Sequence, residues 1–147
     1  MSSEREFVYP YRAPPGFRNR EEIKEPPLYP LLNIQLYTDP SRPRHLEGLL
    51  DSGADVCLFP SEVGESLGIA VEEGERGSIT GIGETAYPTF AHSLVIIIGP
   101  YQRKIRAWFC DAVPTPLLGQ RGFFEHFEVK FNARKLKMEI IPHSRPE

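Results

Sequence analysis

The stretch Leu49-Leu50-Asp51-Ser52-Gly53-Ala54-Asp55-Val56 constrains this chain more than any other. An apolar run ends in a carboxylate, which is costly to bury unless it is paired or shares a proton. Ser52 can hydrogen-bond to the backbone, and Gly53 permits a turn that lets the backbone come close to a ligand. The stretch reads as a buried strand end that presents an acid into a cleft. Any fold for this chain has to supply that cleft.

The 147 residues fit one domain, long enough to bury a core without disulfides or metal. A net charge of −3 leaves no electrostatic footprint for nucleic acid. The basic clusters Arg42-Pro43-Arg44-His45, Arg103-Lys104-Ile105-Arg106 and Arg134-Lys135-Leu136-Lys137 fall in or beside predicted strands and turns, as the solvated face of a sheet would. The longest apolar run, Leu94-Val95-Ile96-Ile97-Ile98, is too short to span a bilayer, and the polar start lacks the apolar core of a signal peptide. A cytoplasmic protein with no membrane partner is expected. Cys57 and Cys110 sit in apolar, strand-like contexts and read as buried free thiols, with a single bridge between them as the alternative. The four histidines show no ligand spacing with the cysteines, so no metal or other cofactor is expected.

Along the chain, residues 1–30 form a Pro-rich arm. Eight of the fifteen prolines fall before residue 44, which disfavours helix and central strand. Tyr9, Tyr11, Phe17 and Tyr29 give the segment apolar weight, leaving a packed arm and a loose tail equally open. From Leu31 the pattern has period two, predicting a half-buried strand over Leu31 to Tyr37. A turn at Asp39–Pro43 leads to a strand from His45 to Leu50, which delivers Asp51. Val56 to Phe59 reads as a short strand stopped by Pro60. Ser61 is placed to cap a helix over Glu62 to Leu67 that ends at Gly68. Glu72 to Gly77 reads as a surface loop. Short polar strand pieces then flank Gly81-Ile82-Gly83, a hairpin tip whose isoleucine makes sense if the tip closes over something.

Tyr87 to Ile98 and Tyr101 to Cys110 predict two strands, the first buried on both faces. Leu117-Leu118-Gly119 is an apolar strand end stopped by glycine. Phe123 to Phe127 reads as helical, and Glu128 to Phe131 with Leu136 to Ile141 as a last hairpin. Many short strands with one or two short helices indicate an all-β domain with closed or sandwiched sheets over residues 31–142, and a tail at 143–147.

Three stretches together resemble the retropepsin family of aspartic proteases. Asp51-Ser52-Gly53-Ala54-Asp55 is similar to its signature, Gly81-Ile82-Gly83 to the tip of its flap, and Leu117-Leu118-Gly119 to its apolar-apolar-glycine motif. The texture is closer to cellular and bacterial members than to viral ones. The resemblance implies an acid-protease fold with half a site per chain. Only Asp51 of the four aspartates lies in an Asp-Ser-Gly context. A dyad then requires a two-fold homodimer that brings Asp51 to its twin.

The resemblance further implies that Ser52 ties the two loops and that Gly53 offers its carbonyl to a peptide substrate. Ala54 and Leu117 would line a side-chain pocket, and Asp55 would face substrate backbone or pair with an arginine. Gly81, Ile82 and Gly83 would cover the substrate, with Leu118, Gly119 and Arg121 in support. Viral members place arginine directly after the third motif's glycine. Here Gln120 intervenes, so the tie from Asp55 is made by Arg121 from a shifted turn or is absent. Family members close their dimers with terminal strands, and Leu136 to Ile141 suits that role. The alternative to a peptidase is a non-catalytic peptide-binding or dimerisation module of the same fold. A third reading makes the arm before Leu31 the enzyme's own first substrate.

Overall fold

The computed structural model of the chain describes residues 7–14, 27–81 and 83–143. Expectations that fall on residues 1–6, 15–26, Ile82 and 144–147 lie outside the described residues. The strands are β1 (Phe7–Pro10), β2 (Leu31–Tyr37), β3 (Arg44–Leu50), β4 (Leu58–Pro60), β5 (Glu75–Thr80), β6 (Ala86–Ile98), β7 (Tyr101–Cys110), β8 (Leu117–Leu118), β9 (Phe127–Asn132) and β10 (Lys137–Pro142). One helix, α1 (Ser61–Ser66), follows β4, and a 3-10 turn spans Val71–Glu73.

Seven strands form one sheet in the order β2-β3-β8-β4-β7-β6-β5, and β2 also pairs with β6 through Gln35 opposite Ile97 and Tyr37 opposite Val95. That last pairing closes the sheet on itself and removes most of its edges. Alternation explains why these segments are strands. Leu32, Ile34 and Leu36 of β2 are buried while Asn33 is exposed. The turn between β2 and β3 is held by Asp39, whose Oδ1 accepts from the Ser41 N–H at 3.0 Å and from its hydroxyl at 2.8 Å. Those two bonds, with Arg42 nearby, hold the Asp39 carboxyl below the usual range.

The second sheet is β1-β10-β9, antiparallel throughout. Its Met138 and Ile140 join Leu32, Leu36, Phe59, Phe109 and Phe123 in one core. The described part of the Pro-rich segment runs against the domain, with Phe7 opposite Ile140 and Arg12 bridged to Tyr29. Strand β10 is flanked on both sides by strands of its own chain. It has no open edge for another copy, so the dimer-closing role expected of Leu136 to Ile141 does not fit.

Other local expectations are also corrected. Glu72 to Gly77 is not a loop: the 3-10 turn leads straight into β5, which pairs with β6 from Glu75 opposite Ala91 to Thr80 opposite Ala86. The long neighbouring strand imposes extension on a polar, glycine-containing segment, a tertiary override of local preference. Ser61 is itself helical and makes no capping bond, because Pro60 (φ −57°, ψ 144°) occupies the N-cap position. The expected helix over Phe123 to Phe127 is instead a run of turns over residues 122–126 that leads into β9 at Phe127. Gly122 enters it at φ +102°, outside the helical region, and the following bonds span unequal intervals. In the second half of β6 Leu94, Ile96 and Ile98 are buried, while Ser93 is exposed and Val95 and Ile97 are half-buried. Ser93, Val95 and Ile97 lie opposite Arg106, Lys104 and Gln102 of β7, whose long stems give partial cover.

Candidate active site

Strands β3 and β4 are consecutive in the chain but not neighbours in the sheet, since β8 lies between them. It runs parallel to β3 (Leu49 opposite Leu117, Leu50 opposite Leu118) and antiparallel to β4 (Leu58 opposite Leu117). The connection 51–57 must therefore cross the chain that continues from β8, and the crossing is at Gly119. A Cβ on Gly119 would stand 2.3 Å from the Val56 carbonyl oxygen and 2.6 Å from that of Ala54. Only glycine fits there. Backbone bonds then clamp the crossing: Asp51 N–H to Leu118 O at 3.0 Å, Gln120 N–H to Ala54 O at 2.9 Å, and Arg121 N–H to Asp55 O at 3.0 Å. The Gln120 side-chain amide adds a bond to Ser52 O at 2.8 Å.

Asp51 emerges from this clamp half-buried. Its Oδ1 accepts the Gly53 N–H at 2.9 Å, and a Cβ on Gly53 would lie only 3.2 Å from that oxygen. The carboxylate is thus oriented by its own loop, and no basic side chain pairs with it among the described residues. Ser52, Gly53 and Asp55 are exposed, while Ala54 is half-buried. Asp55 and Arg121 meet only through the backbone bond, with no ion pair between their side chains. The inserted Gln120 is the one of the two whose side chain binds across to the Asp51 loop.

Beside the loop opens a cleft of about 430 Å³. Ala54, Asp55, Val56 and Leu58 form one wall, Gly77 to Thr80 of β5 another, and Thr89 and Trp108 the base. The Trp108 ring packs on the Gly77 backbone so closely that a Cβ there would come within 2.7 Å of Cζ3. Arg106 lies over the same ring at 5.7 Å and pairs with Glu75 at 2.8 Å, tying β7 to the base of the β5–β6 hairpin. Leu117 is half-buried against the small cluster of Leu58, Cys110 and Val113, with Ile79 and Trp108 beside it. Gly81 and Gly83 are exposed at the hairpin tip with nothing within 4 Å of the positions a Cβ would take.

The sequence reading missed Leu58, Ile79, Thr89 and Trp108 as cleft residues. One signal was available for Trp108: it lies between Ala107 and Phe109, so period two puts the chain's single tryptophan on the opposite face from the core. Cys57, directly after the loop, offers no rival chemistry. Burial pushes its thiol up to about 12, so it stays neutral. A second cavity of about 460 Å³ lies between Leu49, Pro114 to Pro116 and α1. Its acids are already paired, Glu47 with Arg12 at 3.1 Å and Glu62 with Arg44 at 3.1 Å, which leaves no free carboxylate for chemistry.

No family model matches the sequence, and no curated protein sequence does. Solved structures do match. A retropepsin-like aspartic protease from Rickettsia conorii is similar over 93% of this chain and 98% of its own, at 15% identity and a TM-score of 0.62. The EIAV protease complexed with the inhibitor HBY-793 is similar over 69% of this chain and 88% of its own, at 21% identity and a TM-score of 0.50. At these identities the likeness speaks to architecture, and the closed sheet and the β3-β8-β4 crossing agree with it. The chain has the all-β fold of the retropepsin-like aspartic proteases.

Proposed function

We propose that the chain is a homodimeric aspartic endopeptidase with Asp51 as its catalytic residue. The observation that carries this reading is the presentation of Asp51: a carboxylate without a basic partner among the described residues, oriented by the Gly53 N–H, on a loop clamped by backbone bonds beside an open cleft. A single carboxylate is half of what uncatalysed-resistant peptide bonds require. Two identical acids within a hydrogen bond of each other cannot both ionise, so they hold one proton between them; aspartic proteases are the standard instance of this.

In the proposed reaction the ionised Asp51 takes a proton from a water as its oxygen attacks the peptide carbonyl carbon. The protonated Asp51 of the partner gives its proton to the carbonyl oxygen. The tetrahedral diol then collapses, the C–N bond breaks, and the leaving nitrogen takes up a proton from the dyad. Gly53 O would bind a substrate N–H, and Ser52 would link the two loops. Ala54 and Leu117, with Ile79 and Trp108, would receive a substrate side chain. The β5–β6 hairpin would act as the flap, closing through Gly81, Ile82 and Gly83. The assignment of Asp55 to substrate backbone is favoured by its lack of an ion pair with Arg121.

The test is cleavage of an unbiased peptide library at about pH 3 to 7 by wild type and by Asp51→Asn. Turnover that is blocked by a statine-type transition-state mimic and absent from the variant is expected. A folded dimer that captures peptides but cleaves none would overturn the peptidase reading in favour of a binding module.

A further inference from the structure

A third cavity, of about 400 Å³, lies on the face of β6 turned away from the cleft. Alternation along the strand separates the two: Thr89 lines the cleft, while its neighbours Pro88 and Phe90 line this cavity. The facing wall is built from α1 and the 3-10 turn, which are packed without slack. A Cβ on Gly64 would stand 2.7 Å from Val71 Cγ2 and 3.1 Å from the Phe109 ring, and one on Gly74 only 2.4 Å from Ala91 O. His92 Nε2 bonds to Val71 O at 2.8 Å and holds the turn on β6. The cavity is therefore formed before any ligand arrives, which spares a ligand the cost of ordering it.

Glu65 of α1, Glu72 and Glu73 of the turn and Asp111 beyond β7 all line this cavity, and none of their carboxylates has an ion pair or side-chain hydrogen bond among the described residues. Ser61 lies one turn before Glu65 on the same face of α1 and lines it too, at 9% exposure. The Ser61 hydroxyl has no hydrogen-bond partner among the described residues. It is not sealed in, because Arg103 Nε is the one fully enclosed side-chain polar atom there without a partner. It opens on the cavity, and a hydroxyl so nearly buried and unpaired is costly unless something binds it. The half-buried Phe90 supplies a ring, and Arg76, directly across in β5, already sets its Cζ 5.9 Å from the centroid. Four carboxylates against that one guanidinium leave the cavity net negative, and the start of α1 offsets only about half a charge.

We infer that this cavity binds an arginine side chain of a peptide or protein partner. Its guanidinium would lie among Glu72, Glu73 and Asp111 beside the Phe90 ring and donate one N–H to the Ser61 hydroxyl. A planar fork of five N–H donors can meet several separated acceptors and stack on a ring, which the point charge of an ammonium does less well. No group of three or more His, Cys, Asp or Glu among the described residues could hold a metal ion. Acids too far apart to share one ion can still each meet a different N–H.

The test is an NMR titration of the nitrogen-15-labelled full chain, carrying Asp51→Asn so that nothing is cut, with the blocked peptide acetyl-Gly-Arg-Gly-amide. Saturable amide shifts confined to residues 61–73, 88–90 and 111 are expected, weakened in high salt. The lysine counterpart should bind about tenfold more weakly. Glu73→Gln combined with Asp111→Asn should weaken the arginine peptide about tenfold, and Ser61→Ala about threefold. Should a variant fail to fold, the preference for arginine over lysine in the chain with all five polar groups intact decides alone. Shifts centred on Gly77 to Thr80 would place the peptide in the cleft and overturn the second site. Equal affinity for the lysine peptide, or shifts that do not saturate, would reduce the cavity to a diffuse acidic surface and overturn it as well. The readout is binding rather than turnover, so failure of the peptidase reading would leave this result standing.

Discussion

The chain uses glycine at its crossing and at its hairpin tip for opposite reasons. At the crossing, Gly119 is required because two carbonyl oxygens occupy the space a side chain would need. At the tip, Gly81 and Gly83 face nothing within 4 Å, and Gly83 is at φ +96°. One region is held by backbone bonds on three sides and the other by little beyond its own turn. The contrast separates two requirements. On the proposed function, a carboxylate meant to meet its twin within a hydrogen bond has to be placed by groups that cannot move independently. On the same reading the hairpin is a lid that has to open, and a sparsely packed tip suits that.

The largest expected effect lies in chemistry at the rigid end. Asp51→Asn should lower turnover about a thousand-fold, roughly 4 kcal/mol of barrier, with the urea midpoint unchanged because the amide oxygen still accepts the Gly53 N–H. Substantial residual cleavage by the variant would remove Asp51 from the reaction. Next comes Gly119→Ala, which should destabilise the chain by about 3 kcal/mol or leave it unfolded, since backbone on both sides must shift. A melting curve matching wild type would show the crossing to be slack. At the tip, Gly83→Ala should cost about 1 kcal/mol, the strain of a left-handed alanine, while Gly81→Ala stays within about 0.5 kcal/mol. Equal losses at positions 81, 83 and 119 would erase the contrast.

The smallest effect concerns the Arg44–Glu62 pair, which links β3 to α1 through two bonds of 3.1 Å. The hydrogen bonds from Arg44 lower the Glu62 pKa. Its contribution is therefore present above the ordinary glutamate range and is lost as pH falls through the lowered folded value. For so exposed a pair about 0.5 kcal/mol is expected, read as a Glu62→Gln variant whose stability gap to wild type closes on acidification. A gap that persists at low pH would mean that the pair acts by packing rather than charge.

The strands from Leu31 to Tyr37 and from Tyr101 to Cys110 were legible because alternation of apolar and polar residues is a local signal. Strand β5 was legible only at its Ser78–Thr80 end; from Glu75 to Gly77 it was not, because β6 supplies what those residues lack. The segment Phe123 to Phe127 reads as helix because Phe-Phe-Glu-His-Phe has suitable residues and spacing, yet it forms turns that lead into β9. What overrides them is the entry through Gly122 and the pull of Phe123 and Phe127 into the core, where they are 0% and 2% exposed. In the candidate site, Asp51, Gly53 and Gly119 stood out as a motif. The cleft's Ile79, Thr89 and Trp108 did not, since they come from three strands and form a pocket only when the sheet assembles.

By itself, the sequence determined that this is an all-β chain with one Asp-Ser-Gly acid, so a dyad needs a second copy. Those conclusions follow from residue type, period and count, which no packing can change. Tertiary structure alone decided that β8 separates β3 from β4, that the side chain of Gln120 rather than that of Arg121 binds across to the Asp51 loop, and that β10 is flanked on both sides while β9, among the described residues, is paired on one. Each depends on which segments become neighbours, and neighbours distant in sequence are chosen by the whole core rather than by any local stretch.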